Sequence, residues 1–148
     1  MNRVRKGVCG ALALMLSALV PLASEACRCA PPPDPAKALA QSAAVFVGKV
    51  VAIDDGPEAN RNKTVTLEVE KWWKGGEAAR VKVVTNSESA ACGFGFQLDT
   101  RYLVYAAAGN GAAALNVNSC SRTRSAQTAE GTGDFKDLGE GKPPAAKR

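Results

Sequence analysis

Residues 27–35 read CRCAPPPDP, so two cysteines directly precede a run of prolines. Proline fixes its own φ angle and disfavours helical backbone in the preceding residue, so this stretch is predicted to be extended and stiff. Pro35 to Ser42 is rich in alanine and predicts a short helix, with Asp34 as its N-cap and Pro35 at its first position. The sequence thus places the cysteines on a stiff arm ahead of the folded domain.

Upstream of this arm, residues 1–26 have the pattern of a secretory signal. Basic residues lie within Asn2–Lys6, an apolar run spans Gly7–Ala23, and small residues occupy the cleavage positions up to Ala26. Cleavage there makes Cys27 the first residue of an exported protein, extracellular or periplasmic, with no membrane span in its mature form. A retained membrane anchor, or a lipoprotein with its lipid on Cys27, is the alternative.

The chain has five cysteines, and the one at position 9 leaves with the signal. Four remain, Cys27, Cys29, Cys92 and Cys120, and an even number in a small exported domain predicts disulfides. A bond between Cys27 and Cys29 would be strained and would connect nothing else. The two other pairings both join the arm to distant segments, and the residues alone do not choose between them. Each long loop would contribute about 4 kcal/mol in the chain-entropy model.

The sequence contains no histidine. The usual serine and cysteine triads are therefore excluded, and so is the commonest metal ligand, so we expect no enzyme, no cofactor and no metal site of its own. Structural zinc sites favour paired Cys-x-x-Cys spacings, whereas Cys92 and Cys120 are isolated.

The charge of the mature chain does not indicate nucleic-acid binding. The full chain has a net charge of +5, and loss of three basic residues and one acidic residue with the signal leaves +3. The remaining basic residues form no long run and do not alternate with aromatic residues.

Five short runs with strand character follow the arm, separated by turn-forming residues. In the second run Val65, Leu67 and Val69 alternate with polar residues, which is typical of a half-buried strand. Gly48 in the first run predicts a bulge or bend. The pattern predicts an all-β barrel or sandwich. The runs are Ala44–Ile53, Lys63–Trp72, Arg80–Thr85, Arg101–Ala107 and Ala112–Asn118.

The domain is predicted to cover residues 27–138. Residues 139–148 are rich in glycine, proline and lysine, and we expect them to form a disordered, flexible tail. Trp72 and Trp73 are expected in the core and at the rim of the barrel, although an exposed indole would indicate an interface.

Taken in order, the motifs between Cys27 and Cys120 resemble the tissue inhibitors of metalloproteinases. The Cys-x-Cys-x-Pro-Pro opening resembles the mature N-terminus of that family, and Cys120 lies where the second disulfide partner is expected. The other matching segments are Val45–Val50, Lys71–Gly75, the loop Glu88–Gly93 and the strand Arg101–Ala106. The resemblance implies a five-stranded, netrin-like barrel of the oligonucleotide/oligosaccharide-binding (OB) type. It also implies the disulfide pairings Cys27 to Cys92 and Cys29 to Cys120.

The resemblance further implies a secreted metalloprotease inhibitor, and we expect the protein to be a monomer. In the family the α-amine and carbonyl of the first residue, here Cys27, chelate the catalytic zinc of the target protease. The implied contact residues are Arg28, Cys29, Ala30 and Pro31 on the arm, and Ser89, Ala90 and Ala91 on the loop. Arg28 stands where the family usually has threonine or serine. The alternative is a non-inhibitory, exported netrin-like binding module or an envelope lipoprotein.

Overall fold

The computed structural model describes residues 27–58, 61–110 and 115–146. The predicted signal, residues 1–26, lies outside the described residues. None of the helices within the described ranges has the length and apolar character needed to cross a membrane.

The described chain is mostly strands, with short helices near both of its ends. The elements are α1 (Pro35–Gln41), β1 (Ala44–Asp55), β2 (Asn62–Lys74), β3 (Arg80–Asn86), a 3-10 turn (Ser89–Ala91), β4 (Arg101–Ala108), β5 (Leu115–Asn116), β6 (Arg124–Ser125), α2 (Ala126–Gly131) and α3 (Asp134–Leu138).

The first five strands close into a barrel. β1 pairs with β2, β2 with β3, β3 with β5, β5 with β4, and β4 returns to β1. The pairing of β3 with β5 is parallel and the other four are antiparallel. The short strand β6 adds to the outer edge of β4. This mixed barrel confirms the predicted five-stranded, OB-like fold.

The long strand β1 bends enough to pair with both β2 and β4. Its register with β2 shifts between Val47 and Gly48, the position where a bulge was predicted. A Cβ atom at Gly48 would lie only 2.7 Å from the carbonyl oxygen of Glu68 on β2, so the close approach of the two strands requires glycine.

The main hydrophobic core fills the barrel interior. Val65, Leu67 and Val69 point inward from β2, as their alternation predicts, and are at most 6% exposed. Phe46 and Trp72 pack against each other with ring centroids 4.8 Å apart. The interior is therefore closed by apolar side chains and does not form a channel.

A second core lies outside the barrel wall. Val45, Leu103 and Tyr105 point outward from β1 and β4 and are covered by side chains of the helices, including Ala38 and Ala129. Both faces of these two strands are consequently buried, which explains why their sequences read as nearly continuous apolar runs.

The last part of the chain differs from the sequence-based expectation. No element was assigned after Cys120, yet α2 and α3 form there. Ser125 caps α2 by accepting a hydrogen bond from the amide of Thr128. Each helix buries only one or two residues, so the apolar periodicity is too short to be recognised.

The predicted tail also differs from the structure, and the predicted fifth strand is described only in part. Among the described residues β5 covers Leu115–Asn116, while residues 111–114 lie outside them. Disorder was predicted from residue 139 onward, but Lys142 exchanges two backbone hydrogen bonds of 2.7 Å with Trp72. The amide of Ala145 also donates to the carbonyl of Glu77 at 2.7 Å. These bonds attach the segment to the end of β2, and the composition of the tail gave no indication of such pairing.

Candidate functional site

Two disulfides attach the arm, residues 27–34, to the barrel. Cys27 is bonded to Cys92 and Cys29 to Cys120, which are the pairings that the resemblance implies. The bonds start only two residues apart in the arm but reach segments that precede and follow β4 in the sequence. The sulfur atoms of Cys92 and Cys120 lie 3.9 Å apart, so the two disulfides lie side by side and fix the beginning of the arm at one place on the barrel.

The loop that receives Cys27 is shaped by local hydrogen bonds. The side chain of Asn86 accepts from the amide of Glu88 at 2.8 Å, and the carbonyl of Glu88 accepts from the amide of Gly93 at 2.9 Å. Between these bonds lies the 3-10 turn Ser89–Ala91, which ends at Cys92 in the left-handed region with φ 63°. The carbonyl of Cys92 accepts from the amide of Ser119 at 2.9 Å, which holds the loop against the chain before Cys120.

The arm also bonds to this loop through its backbone. The nitrogen of Cys27 donates to the carbonyl oxygen of Ala90 at 3.1 Å. Cys27 itself is half-buried. Its nitrogen therefore has a defined direction, set by a disulfide on one side and a hydrogen bond on the other.

The predicted contact residues lie on the surface around Cys27. All of them are exposed, and we call this set together with Cys27 the cysteine ridge: Cys27, Arg28, Cys29, Ala30, Pro31, Ser89, Ala90 and Ala91. The structure brings the two halves of the ridge together through the Cys27–Cys92 bond and the Cys27–Ala90 hydrogen bond. Although far apart in sequence, they form one surface.

The far end of the arm is held by a residue that sequence reasoning missed. The guanidinium of Arg122 donates through Nη1 to the carbonyl oxygen of Pro33 at 2.7 Å. The same guanidinium donates through Nε and Nη2 to the two carboxylate oxygens of Asp134, both at 2.8 Å. No sequence motif indicated this contact, because the three residues come together only in the folded chain.

The electrostatics of this cluster are dominated by Asp134, whose side chain is fully buried. Burial opposes ionisation of the carboxyl group, but hydrogen bonds from Arg122 and Thr132 and the charge of Arg124 outweigh it and lower its pKa. The pKa of Arg122 is raised, chiefly by its hydrogen bond to Asp134. Asp134 and Arg122 thus form an ion pair.

The sulfur atoms of the ridge are close together but are not available as metal ligands. Those of Cys27, Cys29 and Cys120 lie within 4.8 Å of one another. All three are in disulfides, so none is a thiolate, the form that binds metals. The donor atoms that Cys27 retains are therefore its backbone nitrogen and carbonyl oxygen.

Comparison with known proteins agrees with this geometry. The family model described as "Tissue inhibitor of metalloproteinase" matches residues 25–130, which include the whole ridge and the five barrel strands. No curated protein matches the chain. A match over well over half of the sequence, together with the closed barrel and the disulfide-bonded arm, shows that the chain belongs to the tissue inhibitor of metalloproteinase family.

Proposed function

We propose that the mature protein is an exported inhibitor of a zinc metalloendopeptidase and that it acts through its first residue, Cys27. The family suggests inhibitor-like activity. The observation that carries the proposal is the fixed position of the Cys27 nitrogen, bonded to Ala90 and flanked by the exposed residues of the cysteine ridge.

The coordination chemistry suits an α-amine. Once residue 26 is removed, the Cys27 nitrogen becomes an amine with an ordinary pKa of about 8, so its neutral form is reached near physiological pH. One N–H then bonds to the carbonyl of Ala90, as the amide does here at 3.1 Å, and leaves the nitrogen lone pair for the metal. A catalytic zinc keeps one position open for such a donor. The carbonyl oxygen of Cys27 would supply a second donor, which zinc can accept by expanding to five-coordinate.

The ridge is rigid before the target arrives. The two disulfides, the Cys27–Ala90 bond and the Arg122–Pro33 bond fix both ends of the arm. A rigid surface loses less conformational entropy when it binds, so more of the interaction energy appears as affinity.

Arg28 would select the target. Its side chain is exposed next to the chelating residue, and the resemblance implies that it enters the specificity pocket of the protease. A guanidinium there favours a pocket containing a carboxylate and penalises an apolar one, where the charge would lose its water without a partner. We propose that the target protease has an acidic pocket at this position.

Export of the protein is consistent with its two disulfides. Both bonds would form and persist in an oxidising compartment, outside the cytoplasm. Signal cleavage after Ala26 is part of the proposal, because chelation requires a free amine on Cys27.

The test compares two forms of the oxidised protein, one beginning at Cys27 and one that retains Ala26. Each is titrated against a panel of secreted zinc endopeptidases that includes members with acidic and with apolar specificity pockets. We expect the form that begins at Cys27 to inhibit at least one protease and the extended form to lose that inhibition. An Arg28→Thr variant should move the preference toward apolar pockets.

Each outcome has a distinct meaning. Equal inhibition by both forms would contradict chelation by the amine. An absence of inhibition by either form would favour the binding-module alternative. The intact mass of the exported protein under non-reducing conditions checks the cleavage site, the two disulfides and any lipid on Cys27 in one measurement.

A further inference from the structure

The base of the arm is attached to the C-terminal helices through one guanidinium. Arg122 donates its Nη1 proton to the carbonyl oxygen of Pro33 at 2.7 Å and its Nε and Nη2 protons to Asp134 at 2.8 Å each. Asp134 is the first residue of α3. A single side chain therefore connects the arm to a helix about a hundred residues later in the sequence.

This connection is buried, and any rearrangement of it would cost free energy. The side chain of Asp134 is fully buried and that of Arg122 is 13% exposed. Thr132 donates its hydroxyl proton to Asp134 at 2.8 Å, and Arg124 lies 3.7 Å from the same carboxylate. Separating the pair would leave a buried charge without a partner, which is strongly unfavourable. The guanidinium is thus held in the orientation that points Nη1 at Pro33.

Helix α3 is held in place independently of the arm. Its residues Phe135 and Leu138 pack into the outer core, and the ring of Phe135 lies 5.7 Å from that of Trp73 on β2. Asp134 lies beyond residue 130, where the match to the family model ends. The anchor for Arg122 is thus a feature of this chain outside the matched region.

We propose that Arg122 and Asp134 are positioning residues for the cysteine ridge. Two disulfides fix the arm at Cys27 and Cys29, but the exposed residues Ala30 and Pro31 lie beyond them. The hydrogen bond from Arg122 to Pro33 fixes the other end of this short span, so Ala30 and Pro31 keep one orientation relative to the rest of the ridge. The role of this orientation in inhibition rests on the function proposed above, whereas the positioning itself does not.

Backbone ¹⁵N relaxation tests the positioning without any protease. In an Asp134→Asn variant the carboxylate no longer holds the guanidinium, and we expect the order parameters of the Cys29, Ala30 and Asp34 amides to fall from the rigid value of about 0.85 to below about 0.6. The amides of the barrel strands β1 and β2 should keep their order parameters. An Arg122→Lys variant, whose ammonium lacks the planar fork needed to serve both acceptors, should give the same pattern.

Glu70→Gln provides the matched control. Glu70 accepts two hydrogen bonds from Arg101, at 2.9 and 2.6 Å, on the barrel surface, and neither residue hydrogen-bonds to the arm within the described chain. This variant also breaks a two-bond ion pair, but it should leave the order parameters of the arm amides unchanged.

Two results would overturn the proposal. One is unchanged order parameters of the arm amides in both Asp134→Asn and Arg122→Lys. The other is an equal fall of the order parameters in the arm and the barrel in both variants, including global unfolding, which would indicate a purely structural role. Where the wild type inhibits a protease, Asp134→Asn should also release it about tenfold faster. A wild type that inhibits nothing would count against the proposed function and leave the relaxation test intact.

Discussion

The arm and the strand pair β1–β4 are held in place by different forces. Most of the arm is exposed, and it is fixed by two disulfides and by single hydrogen bonds at Cys27 and Pro33. Strands β1 and β4 are buried on both faces along most of their paired segment, except at its end where Lys49 pairs with the exposed Arg101, and they are fixed by apolar packing. The difference shows that this fold keeps its proposed active surface separate from its main source of stability, so substitutions should affect one without the other.

The largest stability effect should come from the barrel wall. Phe46 is fully buried and contacts Trp72, so Phe46→Ala should lower the free energy of unfolding by about 3–5 kcal/mol through lost burial and a cavity. Chemical denaturation of the oxidised protein measures this. Arg28→Ala, on the exposed arm, is the control and should change stability by less than about 0.5 kcal/mol. Comparable losses of unfolding free energy in Phe46→Ala and Arg28→Ala would contradict the separation between the arm and the barrel.

Removing the second disulfide should have a somewhat smaller effect of a different kind. The bond between Cys29 and Cys120 closes a loop spanning 91 residues, and replacing both cysteines by serine should cost up to about 4 kcal/mol. The loss arises mainly in the unfolded state, so the tryptophan bands of the near-ultraviolet circular dichroism spectrum should remain unchanged below the unfolding transition. Changed tryptophan bands under native conditions would show that this disulfide also shapes the barrel.

The third-largest effect should come from acid, which weakens the connection between the arm and α3. The pKa of Asp134 is lowered in the folded state, whereas an unfolded aspartate titrates near pH 3.9. The stabilisation is therefore fully present above about pH 4 and is lost as the pH falls through the lower pKa of the folded state. Unfolding measured between pH 5 and 2 should show a shallower decline for Asp134→Asn than for the wild type. Parallel curves would contradict this assignment.

Tyr105→Phe should have the smallest effect at neutral pH. The buried hydroxyl lies near Arg122 but makes no hydrogen bond of acceptable geometry within the described residues. Its removal should therefore change stability by less than about 1 kcal/mol. Burial and the charge of Asp134 raise the pKa of Tyr105 to about 12. The wild type should lose stability between about pH 10 and 12, where the unfolded tyrosine ionises first, and the variant should lose less. A large loss at neutral pH would reveal a hydrogen bond at this hydroxyl.

The sequence was most informative where one local rule decides the structure. The alternation at Val65, Leu67 and Val69 located a strand and its buried face, and Asp34 before Pro35 located the start of α1. The cysteine arm was recognisable because its residues are contiguous and chemically distinctive.

The rest depends on contacts that have no local signature. Arg122 and Asp134 are two charged residues in a polar stretch, and only the folded chain shows that they are buried together. Helices α2 and α3 are too short for an apolar period to emerge, and Lys142 pairs with Trp72 through backbone atoms that carry no residue preference. The roles of the ridge residues stay predictions.

The hydrogen bond from the Cys27 nitrogen to Ala90 has a consequence for the precursor. While Ala26 remains attached, that nitrogen belongs to a peptide group, whose lone pair is delocalised into the neighbouring carbonyl and is a poor metal donor. Under the proposed mechanism the unprocessed chain is latent even when its barrel has already folded. Removal of the leader is then the activating step. The inhibitor would therefore not act on zinc enzymes inside the producing cell before it has been exported.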